Sequence, residues 1–344
     1  MGEDLQISTR NTMTKKLPTN AIVAVTLNCN SRCTMCNIWQ NHITNELKPH
    51  EFLMLPDSLK DINITGGEPF LRMDLPEIVA NIKLAAPKAR LVLSTNGFLP
   101  KVIEKNIPKI LQTDPDFAVR VSLDGWNQTH DRIRRIPNGF NMIMETLSIL
   151  KAAGVKDLGI GFTIMKENIK DLVRVFEFTR KEKLELSLTL VTSSAIYFGL
   201  GKESLRPDNH SEVIKQFNRV TVGRFQSHKP KEWFRGWFEQ QLLNYYLTNH
   251  RPYTCDAGEN FFYLDSRGNV FTCNVKGWLM GSILKKSFDE IWRSKAAATM
   301  RKKVQTCHDC WMICTAKTSM KTHLVEIASQ AFGQKIRQTV WPTA

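Results

Sequence analysis

Six short apolar, β-branched runs separated by stretches of helical periodicity constrain this chain more than any other feature. The runs occupy residues 21–27, 62–65, 91–95, 119–123, 159–164 and 186–191. Between them, Ile169, Leu172, Val173 and Phe176 fall at i, i+3, i+4 and i+7, which is one face of a helix. Ile143, Leu147 and Leu150 repeat the pattern ahead of Gly154, a residue suited to end a helix. Such alternation implies βα units and a parallel sheet. Six strands fall short of the eight that close a barrel. The expectation is therefore an α/β fold: an open, partial (β/α)6 barrel over residues 20–195. In such folds the chemistry gathers at the C-terminal ends of the strands. The polar, glycine-rich segments do follow the runs. Residues 28–36 follow the first, Gly66, Gly67, Glu68 and Pro69 the second, Asn96 and Gly97 the third, Asp124 and Gly125 the fourth.

Beyond the sixth run the pattern breaks up. Within 196–250, Trp233, Phe234, Trp237 and Phe238 precede Leu242, Tyr245 and Tyr246. They read as a packed bridging helix rather than a substrate platform. Residues 251–318 are turn-rich and carry cysteine, as expected of a small domain that needs a metal staple. Residues 1–19 read as a polar tail and 319–344 as a tail of moderate amphipathicity.

Apolar residues make up 42% of the 344 and charged residues 23%, ordinary for a globular protein. No apolar run is long enough to span a membrane. The first 20 residues lack the apolar segment of a secretory signal, so a cytoplasmic setting is expected. Net charge is +14. The excess is diffuse, though residues 285–303 carry seven Lys or Arg against two acids, and Arg132, Arg134 and Arg135 cluster. Neither is a long arm, so charge alone does not make a nucleic-acid binder. It suits equally a solvated surface, an anionic substrate or an acidic electron-donor protein.

The eight cysteines fall in three groups: Cys29, Cys33 and Cys36; Cys255 and Cys273; Cys307, Cys310 and Cys314. In a chain with no export signal such groups point to metal rather than disulfides. Cys29, Cys33 and Cys36 follow a strand directly. Three thiolates this close can hold three corners of an iron–sulfur cubane, which usually takes four, and leave one iron open. A zinc site would need a fourth nearby ligand, and His42 is the local candidate.

The segment Cys29-Asn-Ser-Arg-Cys33-Thr-Met-Cys36 resembles the CxxxCxxC signature of the radical S-adenosylmethionine (SAM) superfamily. Gly66, Gly67, Glu68 and Pro69 resemble its GGEP motif. Ser94-Thr-Asn96-Gly and Ser122-Leu-Asp124-Gly are similar to its later strand-end motifs, and His130-Asp-Arg-Ile-Arg134 to the HDxxR that often follows. Met35 departs from the aromatic residue usual at that position. The resemblance covers residues 20–195. It implies a catalytic [4Fe–4S] cluster whose open iron binds SAM and releases a 5′-deoxyadenosyl radical. It also implies cofactor contacts at Met35, Gly66, Gly67, Glu68, Pro69, Ser94, Asn96, Ser122, Asp124 and Arg134. On chemical grounds Asp124 is equally a turn residue and Arg134 equally a surface cation.

The second cysteine group resembles the auxiliary-cluster domains called SPASM and, in shorter form, twitch. The stretch from Gly268 to Cys273 matches their G-x4-C element. Five cysteines imply one auxiliary [4Fe–4S] cluster and one thiol to spare, for which Cys314 is the candidate on spacing. A spare thiol there could return a hydrogen atom to the substrate. Zinc remains an alternative for this group. The expected function is dehydrogenation or epimerisation of a small polar metabolite, sugar-like or nucleotide-linked, with flavodoxin or ferredoxin as electron donor. The alternatives are a maturase of ribosomally made peptides and a zinc-knuckle nucleic-acid-binding protein. The ordered strand-end motifs have no purpose in the last.

Overall fold

The computed structural model describes residues 16–41 and 43–340, so most of the N-terminal tail and His42 lie outside the described residues. The first half of the chain runs β1 (Asn20–Thr26), β2 (Asp61–Gly66), α1 (Leu75–Ala85), β3 (Arg90–Thr95), α2 (Pro100–Thr113), β4 (Ala118–Ser122), α3 (Gln128–Arg134), α4 (Gly139–Ala152), β5 (Leu158–Ile164), α5 (Leu172–Lys181) and β6 (Glu185–Leu190). The six strands are parallel and ordered as in the sequence, from β1 to β6. Every expected strand is present within one residue at either end. This is the partial (β/α)6 barrel.

The strand pleat separates two environments. Ile62, Ile64, Leu91, Leu93, Val119 and Val121 point to the helical layer and are buried there. Each stabilises the layer by roughly 1.5–3 kcal/mol. The alternate residues Asn63, Thr65, Ser94 and Ser122 line the bore. Leu172, Val173 and Phe176 of α5 are buried as their spacing requires, with Ile169 in the 3-10 turn before them. Helix α4 stops at Gly154, which takes a left-handed φ of +88° where a side chain would be strained.

The later chain continues through α6 (His210–Gln226), α7 (Pro230–Thr248), β7 (Phe261–Leu264), β8 (Asn269–Phe271), β9 (Leu279–Ser282), α8 (Phe288–Arg293), α9 (Lys295–Val304), α10 (Ile313–Thr322) and α11 (Leu324–Val340). Two findings differ from the sequence pattern. First, the region read as one bridging helix holds two long helices, α7 where the aromatic run lies and α6 before it. Their buried faces include Gln216, Thr221 and Arg224 on α6 and Glu239 on α7, and Arg224 pairs with Glu239 at 2.8 Å. A buried ion pair interrupts the apolar stripe that would announce α6. The C-terminal tail is likewise helical, with Ile327 and Ala331 of α11 buried. Second, β7 joins the barrel sheet parallel to β1, and β8 and β9 extend it antiparallel. The nine strands form one sheet in the order β6-β5-β4-β3-β2-β1-β7-β8-β9. Among the described residues no helix is long and apolar enough to cross a membrane.

Candidate active site

The loop after β1 and the loop after β2 are packed together. The amide of Gly67 donates to the carbonyl of Thr26 at 2.8 Å, and that of Glu68 to Asn28 at 2.9 Å. A Cβ on Gly67 would lie 2.0 Å from the Asn28 carbonyl oxygen and 2.9 Å from Cys29 Cβ; one on Gly66 would lie 2.3 Å from the Thr26 oxygen. Only glycine permits this approach. Glu68 is wholly buried. Its carboxylate accepts from Phe70 N at 3.1 Å, Thr95 Oγ1 at 2.8 Å and Asn96 N at 2.7 Å. Burial pushes the Glu68 carboxyl up to about 7 against those bonds. The side chain ties the ends of β2 and β3 together. Gly66 and Gly67 line the cavity, while Glu68 and Pro69 lie behind them.

The three thiols lie on that platform. Cys33 is buried and Cys29 and Cys36 are partly covered. Each sulfur has a donor from its surroundings. Asn96 Nδ2 is 3.8 Å from Cys29, Arg134 Nη1 is 3.7 Å from Cys33, and the amide of Ile38 is 3.5 Å from Cys36. Burial pushes Cys29 up to about 11 and Cys36 up to about 12. Thiolates there need a bound cation to offset the loss of solvent.

The motif from His130 to Arg134 serves the end of β4. Arg134 Nη2 meets Asp124 Oδ2 at 2.5 Å, and Asp124 Oδ1 accepts from the amide of Thr163 at 2.6 Å. His130 Nδ1 accepts from the amide of Asp124 at 3.1 Å. Burial, then the charge of Arg134, pull His130 down to about 3, so it stays neutral. Burial works against the Arg134 charge, but Asp124 outweighs it and holds the guanidinium protonated. Asp124 is wholly buried and is absent from the cavity lining, where Arg134 stands.

A cavity of about 710 Å³ opens from the thiols into the barrel. Cys29, Cys33, Cys36 and Met35 form one end, and Ser94, Asn96, Ser122 and Arg134 face it from the strand ends. The donors described at this end are the three thiols. That set fits a cluster gripped at three corners. The unpaired edge of β6 leaves the barrel open at the side, and residues at the start of α10 cover the gap. Cys314 is among them.

The second thiol group is built differently. Cys255 precedes β7, Cys273 follows β8, and Cys310 and Cys314 flank the start of α10. Gly268, at φ +83°, turns the chain between β7 and β8. Burial first, and neighbouring thiols after it, raise these groups: Cys255 to about 12, Cys273 to about 11 and Cys314 further. Cys310 acts on all three. Cys307 is less enclosed; burial raises it while Lys276 and Arg251 pull it down. Arg251 Nη1 donates to the Cys310 carbonyl at 2.5 Å, and the amide of Lys276 to Cys273 Sγ at 3.4 Å.

Two family models match this chain. Residues 23–179 match the Radical SAM superfamily, and residues 255–311 match the SPASM iron–sulfur cluster-binding domain. A probable GTP 3′,8-cyclase of Methanococcus aeolicus is 30% identical over 226 residues, 61% of this chain and 71% of that protein. The chain belongs to the radical SAM superfamily. An Fe-coproporphyrin III synthase of Methanosarcina barkeri is 32% identical over 199 residues, 56% of this chain and 48% of that protein. The match therefore spans about half of that relative's length. Among solved structures, Streptococcus suis SuiB bound to its precursor peptide SuiA aligns with a TM-score of 0.63 at 14% identity, covering 87% of this chain and 70% of that one. That likeness concerns the fold.

As a radical SAM protein with a SPASM domain, the chain uses iron–sulfur clusters, catalytic and auxiliary, and SAM. The fold brings Met35, Gly66, Gly67, Ser94, Asn96, Ser122 and Arg134 to the cavity and withholds Glu68, Pro69 and Asp124. It adds residues that no motif marked. Tyr197, in the loop after β6, donates its hydroxyl to the Gly66 carbonyl at 2.5 Å and lies 3.0 Å from Thr65 Oγ1. Gly161 faces the bore, and a Cβ there would meet nothing within 4 Å. A glycine inside a strand run was the available signal for the second. Nothing local marks Tyr197.

Proposed function

We propose that this radical SAM protein is a dehydrogenase of a small polar metabolite bearing an acidic group. One observation carries the reading: Cys29, Cys33 and Cys36 on one wall and Cys314 on another face the same cavity. When bound, the catalytic cluster and SAM supply a 5′-deoxyadenosyl radical, and the auxiliary cluster supplies an acceptor for the substrate's leftover electron. The substrate gives one hydrogen atom to 5′-deoxyadenosine, then one electron and one proton, so the product is two hydrogens lighter.

In this reading Cys29, Cys33 and Cys36 hold the catalytic cluster. Cys255, Cys273, Cys310 and Cys314 hold the auxiliary one, because Cys307 is the least enclosed of the five thiols. Cys307 is then the spare thiol, in place of Cys314. Met35, Ser94, Asn96, Ser122 and Arg134 contact SAM, and Glu68 and Asp124 position those contacts. The bore shields the reacting centre from water.

A small substrate is supported by closure. Helix α7 contributes Phe234, Arg235 and Phe238 to the end of the cavity away from the thiols, and α10 covers its side. The relatives named for GTP and for Fe-coproporphyrin III handle molecules with phosphate or carboxylate groups, which suits the +14 charge of this chain. That charge also suits docking of an acidic flavodoxin or ferredoxin, whose reduction rate should fall as salt rises. The test is anaerobic turnover of the reduced, cluster-loaded protein with deuterated candidates. Deuterium in 5′-deoxyadenosine and a product two mass units lighter, corrected for label, are expected. Label arriving from peptides alone would sink the small-molecule reading. An unoxidised, inverted product would sink the dehydrogenase reading.

A further inference from the structure

The end of the cavity opposite the thiols has no role in radical generation, yet it is the most charged part of the wall. Five cations line it: Arg90, Arg120, Lys231, Arg235 and Lys317. Three carboxylates face them: Asp61, Asp157 and Glu239. The carboxylates are already engaged. Asp157 meets Arg90 at 2.5 Å and Arg120 at 2.6 Å, Asp61 pairs with Lys317, and Glu239 is held by Arg224 at 2.8 Å from outside the cavity. Arg235 is shared between Glu185 and Glu232 at 3.6 Å, and Lys231 also meets Glu185 at 3.0 Å. Along the lining of this end, five cations stand against three carboxylates. Burial pulls Arg235 down to about 10, with Glu239 and Asp157 opposing it and Arg120 and Arg90 adding to it. A ligand anion would offset the lost solvation of the guanidinium.

The bore leads to this end. Gly161 pairs with Ser122 on one side and Ser187 on the other, one pleat above Arg120, which pairs with Gly159. All three line the cavity, and the space beside Gly161 is open. Strand β2 runs from Asp61 at the charged end to Gly66 at the thiol end, a distance of roughly 17 Å at the usual rise per residue.

We propose that the charged end is a substrate-anchoring subsite: an elongated substrate presents its reacting carbon at the thiols and seats a phosphate or carboxylate among Arg90, Arg120 and Arg235, with Gly161 setting the free depth of the bore. This rests on the small-molecule reading above and names where the acidic group goes. Reaction at the strand C-termini and anchoring at the N-termini would let one barrel measure the length of its substrate.

The experiment is calorimetric titration of the full, cluster-loaded chain with inorganic pyrophosphate and, separately, tricarballylate. Wild type, Arg235→Gln and Gly161→Trp are compared, with iron content and thermal unfolding as controls for folding. At least one anion should bind wild type, and both variants should weaken it by about tenfold or more. Pyrophosphate alone would specify a phosphate, tricarballylate alone a carboxylate. No binding of either anion, or binding that neither variant changes, overturns the subsite. Weakening by Arg235→Gln without weakening by Gly161→Trp means entry from the opposite face and overturns the reach through the bore. If Arg235→Gln loses its iron, Gly161→Trp decides alone. Reductive cleavage of SAM by the wild-type sample is scored separately, so loss of the radical reading would be visible whatever the titration shows.

Discussion

The two thiol groups solve the same problem by opposite routes. Cys29, Cys33 and Cys36 come from one short loop at the end of one strand, and their sulfurs take hydrogen bonds from that loop and from two other segments, at Asn96 and Arg134. Cys255, Cys273, Cys310 and Cys314 come from three separate segments joined by β7, β8 and α10. A local triad leaves a corner free by construction. A group gathered by tertiary structure can enclose its cluster on all sides. In the proposed function that difference separates the site that reacts from the one that takes up an electron.

The sharpest way to break the contrast is Cys33→Ala. Reductive SAM cleavage should vanish, and bound iron should fall from about eight to about four per chain. Iron analysis with high-pressure chromatography of 5′-deoxyadenosine reads both. Next in size is the pair Cys314→Ala and Cys307→Ala. The first should lose the iron of the second cluster, the second should keep it; the reverse would exchange their roles. Asp124→Asn leaves Arg134 buried without its counter-charge. Such losses cost about 3–5 kcal/mol, read as a lower midpoint of unfolding in apo and loaded protein alike. Gly67→Ala forces the two loops apart and should cost about 1–3 kcal/mol, with the catalytic iron more labile than the auxiliary iron.

The smallest expected effect concerns Asp157, far from both groups. Burial opposes its charge, but Arg120 and Arg90 hold its carboxyl down from 3.8 to about 2. The folded value lies below the unfolded one, so the stabilisation is present at neutral pH and fades as pH falls from 3.8 towards 2. Because the group is partly exposed, screening reduces it to about 1 kcal/mol. Asp157→Asn should lower the unfolding midpoint at pH 7 and converge with wild type towards pH 2. An equal gap at both pH values would show that the contact is not ionic.

Legibility in the sequence followed locality. The strands were readable because period-two burial repeats within six residues, as at Asp61–Gly66. The catalytic thiols were readable because their spacing places them in one loop. The aromatic run of α7 was readable, but α6 was not, since Gln216, Thr221 and Arg224 occupy buried positions that an apolar template rejects. Strand β7 was hidden because four residues, Phe261–Leu264, are too few to show a period. The motif marked Glu68, but not its hydrogen bonds to Thr95 and Asn96 across the ends of β2 and β3.

By itself the sequence determined the class of fold, the order of the barrel strands and the three thiols that follow the first of them. These depend on periodicity and spacing, which a linear chain carries intact. Only the tertiary structure decided that Cys314 shares a cavity with those thiols, that β7 closes onto β1, and that five cations gather at the far end of the bore. Those outcomes depend on which distant segments exclude water together. That is a property of packing, and no local pattern encodes it.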